Sequence, residues 1–162
     1  MENELKKAQR LLLGHGALVL LVGFVIGFGF LFFIIGEISL WPIPGVIEYQ
    51  MPGTYDAWRM AHLEGIANGF MLWILAAIVP IIHNSVPRIY RVAVCMVVVA
   101  WTIVVASALD PFFPEARGLS FGPGSSLPNA IAFFLFYVGI VTAFVVVAMV
   151  AVKSFKGPNQ SL

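Results

Sequence analysis

The segment Leu11–Gly36, LLLGHGALVLLVGFVIGFGFLFFIIG, contains no charged residue. Three later segments are also uncharged, namely Ile66–Asn84, Val92–Leu109 and Ala130–Val152. A helix needs about 20 apolar residues to cross the hydrocarbon core of a bilayer. We therefore predict an all-α membrane protein of one domain, with four transmembrane helices over about residues 11–36, 62–84, 92–110 and 129–152.

The composition agrees with this prediction and excludes several classes of protein. Of the 162 residues, 60% are hydrophobic and only 10% are charged, which leaves no room for a water-soluble domain between the apolar segments. Nine basic and eight acidic residues nearly cancel, and the basic ones form no patch, so nucleic-acid binding is excluded. The single cysteine, Cys95, cannot form an intrachain disulfide.

The positions of lysine and arginine predict the orientation. Most of them precede the first span, join the second to the third, or follow the fourth: Lys6, Lys7, Arg10, Arg88, Arg91, Lys153 and Lys156. By the positive-inside rule, both termini are cytoplasmic. The segments 37–61 and 110–129 then face outward. They are rich in proline, glycine and aromatic residues, which predicts structured extracytoplasmic loops. Their aromatic rings, such as Trp58, either form a belt at headgroup depth or roof a pocket.

Polar side chains open the second span in AHLEGIANG, residues 61–69, which contains His62, Glu64 and Asn68. Polar groups inside a membrane are costly and mark functional positions. A closed tetrahedral metal site is hard to build here, because no second histidine or cysteine is near. A single axial ligand to haem iron is easier. From the residues alone, a structural hydrogen-bond cluster and a ligand or cofactor site both remain open.

Two other histidines and four glycines belong to the predicted spans. His83 is predicted to end the second span in solvent, and His15 lies between two glycines that permit close packing or the approach of a flat ligand. Gly23 with Gly27, and Gly65 with Gly69, repeat at four-residue spacing, which favours close helix packing. The partner is either another helix of the same chain or a second subunit.

The chain resembles the styrene oxide isomerases, small four-span membrane enzymes. The resemblance covers most of residues 14–123 in the same order. It is carried by Gly14-His15-Gly16, Ile43-Pro44-Gly45, Ile47-Glu48-Tyr49, Pro52-Gly53, Trp58, Ala61-His62, Asn68-Gly69, Trp101, Arg117-Gly118-Leu119 and Phe121-Gly122-Pro123.

This resemblance implies a trimer in the bacterial inner membrane that isomerises an epoxide to an aldehyde by the Meinwald rearrangement. It also implies ferric haem b as the Lewis acid, followed by a 1,2-hydride shift. His62 stands at the axial haem ligand of the family, and Asn68 at a polar residue that faces the epoxide. Ser107 replaces a family tyrosine, which puts the contacts with styrene oxide in question. Glu64 and Asp110 are acids where the family has none.

Six helical residues place His62 and Asn68 about 120° apart around their helix. One helix can hardly present both to one iron, so we expect haem between subunits, with Arg59 or Arg117 as partners for its propionates or as plain interfacial charges. A non-catalytic haem protein, such as an electron carrier or sensor, is the alternative. A second axial ligand at this depth is missing, which argues against a carrier. A structural four-span protein without haem is the third possibility.

Overall fold

The computed structural model describes residues 2–82, 88–113 and 115–156, and four long helices make up most of them. The helices are α1 (Glu2–Ile35), α2 (Tyr55–Ile82), α3 (Ile89–Leu109) and α4 (Leu127–Lys156). Each is long and apolar enough to cross a membrane, which confirms the predicted helical membrane class. The predicted helix end at His83 lies outside the described residues.

Helix α2 begins seven residues before His62. Thr54 caps it, because its Oγ1 accepts a hydrogen bond from the Ala57 N–H at 3.3 Å. The preceding Pro52 and Gly53 lie outside the helix. As a result, His62 lies two turns inside the helix, about 10 Å from its start, and does not open it as the sequence suggested.

Helices α1 and α2 approach each other through glycine. A Cβ added to Gly23 would lie 3.0 Å from the backbone carbon of Gly65, and one added to Gly65 would lie 2.6 Å from the Cα of Gly23. Gly69 packs in the same way against Leu20. The glycine repeat therefore serves packing within the chain. Lipid is as apolar as leucine, so such close contact stabilises the helix pair through dispersion forces.

The core lies where α1, α2 and α3 meet. Its fully buried side chains include Leu12, Leu72 and Val99. Helix α4 packs mainly on α3, and Gly139 permits this, since a Cβ there would lie 2.7 Å from Thr102 Oγ1. Most of the outward face of α4 is left exposed, as expected for a lipid-facing helix.

The two longer connections lie at one end of the bundle, here called the loop end. In the first, β1 (Glu37–Ser39) pairs antiparallel with β2 (Val46–Glu48). The sequence predicted a structured loop here but not these strands. In the second, the Asn129 side chain accepts from the Gly118 N–H at 2.9 Å and donates to the Ser120 carbonyl at 2.8 Å. These bonds fix residues 118–120 against the start of α4.

Candidate cofactor and active site

His62 is tied to the neighbouring helix by its ring. Its Nδ1 lies 2.9 Å from the carbonyl oxygen of Gly23 on α1. A carbonyl oxygen can only accept, so Nδ1 carries the proton and donates it. The lone pair is then on Nε2, which has no hydrogen-bond partner among the described residues. A backbone carbonyl that fixes the tautomer in this way is typical of histidines that ligate metals.

The space for the His62 ring comes from Gly27. A Cβ at Gly27 would lie 2.8 Å from both Nδ1 and Cε1 of His62. Beside the ring is a shallow groove of about 300 Å³, lined by His62, Gly27, Phe24, Phe28 and Leu31. Positions 24, 28 and 31 repeat at helical spacing and share one face of α1. The groove is therefore an apolar floor with one imidazole at its edge.

This arrangement fits a flat porphyrin that has one histidine ligand. The residues supply a neutral imidazole nitrogen and aromatic and aliphatic side chains, which are the groups that axial haem ligation uses. Within the described ranges, no group of three or more His, Cys, Asp or Glu side chains could hold a metal ion by itself. A volume of about 300 Å³ is at the lower limit of small-ligand pockets. A buried porphyrin therefore requires a second wall.

Asn68 is placed apart from this groove. It is only 6% exposed and does not belong to the groove lining. Its Nδ2 donates to the backbone oxygen of Glu64 and to Glu64 Oε2, both at 2.9 Å. The two polar residues that the sequence grouped with His62 thus form a pair of their own, one helical turn apart. The groove of a single chain does not bring His62 and Asn68 together.

Ser107 is fully buried in α3. Its Oγ has no hydrogen-bond partner among the described residues, and the side chain does not line the His62 groove. A buried hydroxyl without a partner costs about 1–3 kcal/mol, so its presence here requires a reason. Packing alone does not supply one.

The family model for styrene oxide isomerase matches residues 8–155 of this chain. The chain belongs to the styrene oxide isomerase family. It is also 28% identical over 128 residues to a styrene-oxide isomerase of Pseudomonas fluorescens. The aligned residues make up 78% of this chain and 74% of the relative. The chain is accordingly an isomerase, and the family accounts for the epoxide-to-aldehyde class of reaction.

A second cavity, of about 420 Å³, lies at the loop end. It is bounded by the start of α2 and by the connection between α3 and α4. Its polar lining includes Thr54, Asp110, Glu115 and Arg117. The Asp110 side chain is only 8% exposed, and its Oδ2 lies 3.5 Å from Arg117 Nε. Burial raises the pKa of Asp110 above its ordinary value, and the nearby Arg117 opposes this increase only in part. The structure thus buries most of the Asp110 side chain.

The other predicted residues have local partners. Arg59 pairs with Asp56 at 3.5 Å, so both arginines considered for propionates contact carboxylates of their own chain. Trp58 is 2% exposed and donates from Nε1 to the Pro52 carbonyl at 2.7 Å. It is therefore a buried packing residue, unlike Trp41, which is 93% exposed.

His15 is engaged as a packing residue. Its Nδ1 accepts a hydrogen bond from Trp101 Nε1 at 3.1 Å, across from α3 to α1. A Cβ at the neighbouring Gly16 would lie 2.5 Å from the Trp73 ring, whereas one at Gly14 would meet nothing within 4 Å. His15 thus links α1 to α3. It lies two turns along α1 from Gly23, the residue that bonds His62.

The sequence did not identify Gly23 and Gly27 as parts of the site. Gly23 contributes its carbonyl oxygen, and Gly27 leaves space for the His62 ring. The glycine repeat was visible and signalled close packing. It did not indicate that one glycine would expose a carbonyl to His62 while the next made room for its ring. That relation depends on the rotation of α1 against α2, which the sequence pattern does not specify.

Proposed function

We propose that this protein converts a small apolar epoxide to an aldehyde with ferric haem b as its cofactor. The reaction breaks one carbon–oxygen bond of the epoxide, moves a hydride to the adjacent carbon and forms a carbonyl. Substrate and product are therefore isomers. The observation that carries the proposal is the contact between His62 Nδ1 and the Gly23 carbonyl, which leaves Nε2 available as an axial ligand.

His62 holds the cofactor in this proposal, and Phe24, Phe28 and Leu31 offer an apolar floor for the macrocycle. Bound ferric haem supplies a Lewis acid that polarises the carbon–oxygen bond without a net change of redox state. Asn68 borders the substrate as its polar contact, and Ser107 stands near it in place of the family tyrosine. The surrounding apolar side chains exclude water, which would otherwise trap the developing cation as a diol.

We further propose a trimer in the bacterial inner membrane, with haem between subunits and with both termini cytoplasmic. The support is geometric: His62 borders α1, whereas Asn68 is absent from the groove, so one chain does not present both to one ligand. The groove also has a single wall. A neighbouring subunit would supply the second wall and the substrate-facing amide. The excess of lysine and arginine at the termini and between α2 and α3 supports the orientation.

The test of the reaction uses purified, haem-containing protein in the ferric state and a panel of aryl, alkyl and terpene epoxides. We expect aldehydes, without diols. His62→Ala should lose both the Soret band and turnover, whereas the matched control His15→Ala should keep the Soret band, because His15 binds Trp101. A six-coordinate, low-spin and easily reduced haem without turnover would favour the electron carrier. Protein without any Soret band, after expression with ample haem, would favour a structural role.

The test of the shared site combines two variant chains, each of which lacks one of the two residues. Mixed oligomers of His62→Ala and Asn68→Ala should recover part of the activity, because some interfaces then contain one intact residue of each kind. Oligomers of either variant alone are the control. Absence of recovery at every mixing ratio, with mixed oligomers demonstrated by two affinity tags, counts against a site between subunits.

A further inference from the structure

Glu64 is a half-buried carboxyl in a helix that crosses the membrane, one turn before Asn68. An acid in this position is costly, so its interactions are informative. Its Oε2 and its backbone oxygen both accept from Asn68 Nδ2, each at 2.9 Å. Among the described residues, no other hydrogen bond of the Glu64 side chain is found.

These two bonds determine which way the Asn68 amide points. The backbone oxygen of Glu64 can only accept, so the atom that faces it must be the nitrogen. Both hydrogens of Nδ2 are then engaged. The remaining atom, Oδ1, has no partner among the described residues. It is not one of the fully buried side-chain atoms that lack a hydrogen bond, which are Ser107 Oγ and Asp110 Oδ2. Asn68 therefore displays a hydrogen-bond acceptor, not a donor.

We infer that Glu64 is a positioning residue that holds Asn68 with Oδ1 toward the substrate, so that the site selects epoxides carrying a hydroxyl or another hydrogen-bond donor. The inference rests on the proposed function, in which Asn68 borders the substrate. An epoxide oxygen is itself only an acceptor and gains nothing from Oδ1. A donor elsewhere on the substrate would pair with it.

The expected selectivity follows from the cost of an unpaired acceptor in an apolar site. A substrate without a donor leaves Oδ1 desolvated and unpaired, and one neutral hydrogen bond of this kind changes affinity by about tenfold. Leucine at position 64 removes the side-chain acceptor and frees one hydrogen of Nδ2. The amide is then held only by the backbone oxygen of residue 64 and can turn. Glutamine keeps an acceptor oxygen at the same place.

The experiment measures binding of an unreactive pair of equal size, 3-phenylpropan-1-ol and butylbenzene, by equilibrium dialysis against protein-free micelles. Purified haem-containing protein should prefer the alcohol by about tenfold. Glu64→Leu should lose this preference while it still binds butylbenzene, and Glu64→Gln should keep it. Glu4→Leu, at the exposed start of α1, is the control for removal of a carboxylate.

Equal affinities in the wild-type protein, or an unchanged preference in Glu64→Leu, would overturn the inference. Turnover is scored separately with the matching pair of epoxides, one with and one without a hydroxymethyl group. A binding preference without any isomerisation counts against the proposed function. Isomerisation of both epoxides at equal kcat/KM, without a binding preference, counts against the role of Glu64 alone.

Discussion

Gly27 controls the position of the proposed haem ligand, and its replacement by alanine tests that relation directly. The added Cβ would lie 2.8 Å from two atoms of the His62 ring, while ordinary contacts begin near 3.4 Å. The ring must therefore withdraw by about 0.6 Å. Its hydrogen bond to the Gly23 carbonyl, now 2.9 Å, is then stretched toward the limit of about 3.5 Å.

The size of the effect follows from that bond. A hydrogen bond of this kind contributes about 0.5–1.5 kcal/mol, and loss of such a partner behind a ligating histidine lowers metal affinity about 10–100-fold. We expect Gly27→Ala to release haem at least tenfold faster, a rate measured by transfer of haem from the purified protein to excess apomyoglobin.

The control is Gly14→Ala on the same helix, since a Cβ there meets nothing within 4 Å. Alanine is a better helix former than glycine, so this variant should keep the wild-type rate and lose no stability. Gly27→Ala must retain helical content and the native oligomeric state for the comparison to be valid. Wild-type haem release in a folded Gly27→Ala protein would refute the assignment of His62 as a ligand held by Gly23.

Three further predictions concern packing, protonation and the substituted position in α3. Gly23→Ala places a Cβ 3.0 Å from the Gly65 backbone, so the helices must separate slightly, and we expect a loss of about 1–3 kcal/mol, measured as a lower Tm. Asp110→Asn should raise Tm at neutral pH and have little effect in acid, because burial raises the pKa of Asp110 and its folded state favours the protonated form. Ser107→Tyr should lower Tm by overpacking, because position 107 is fully buried in the single chain.

Each of these predictions has a contradicting result. An unchanged Tm in Gly23→Ala would mean that α1 and α2 do not pack at this glycine. For Asp110, the sign is fixed: its contribution to stability is complete below the ordinary pKa of an aspartate and is lost as pH rises through the raised value. If the difference in Tm between Asp110→Asn and the wild type does not grow from acid to neutral pH, the prediction is wrong. The control is the same substitution at the exposed Asp56, Asp56→Asn. A Ser107→Tyr protein with the wild-type Tm would show that this position has room for the phenol.

The helices were predictable because long uncharged apolar segments have few other structures available to them. The start of α2 was not, since residues 55–61 are polar enough to read as a loop. Thr54 alone caps this helix, and a single threonine after Pro52-Gly53 is a weak signal. The consequence is that His62 lies two turns inside α2 and not at its first residue.

For the site, the sequence identified His62, Asn68 and Glu64 as unusual, and it separated the first two by their angle around the helix. It left open whether these polar groups formed one cluster. The structure divides them, with His62 bonded to Gly23 on α1 and Asn68 bonded to Glu64 within α2. The bond between His62 and Gly23 depends on the rotation of α1 against α2, which residue spacing does not encode. The four-residue spacing makes Glu64 and Asn68 neighbours on one helix, and their side-chain rotamers decide whether they bond.

The division also places His62 apart from two of the residues that differ from the family. The residue at the α1 edge of α2, His62, is the one expected at the axial ligand position of the family, and it sets the class of reaction in the proposed function. These two residues are Glu64, which is bonded to Asn68, and Ser107, which is buried in α3; neither lines the His62 groove. We expect changes outside the groove to alter what is bound without altering how the carbon–oxygen bond is polarised. We therefore expect this protein to share the chemistry of its family and to differ from it in substrate.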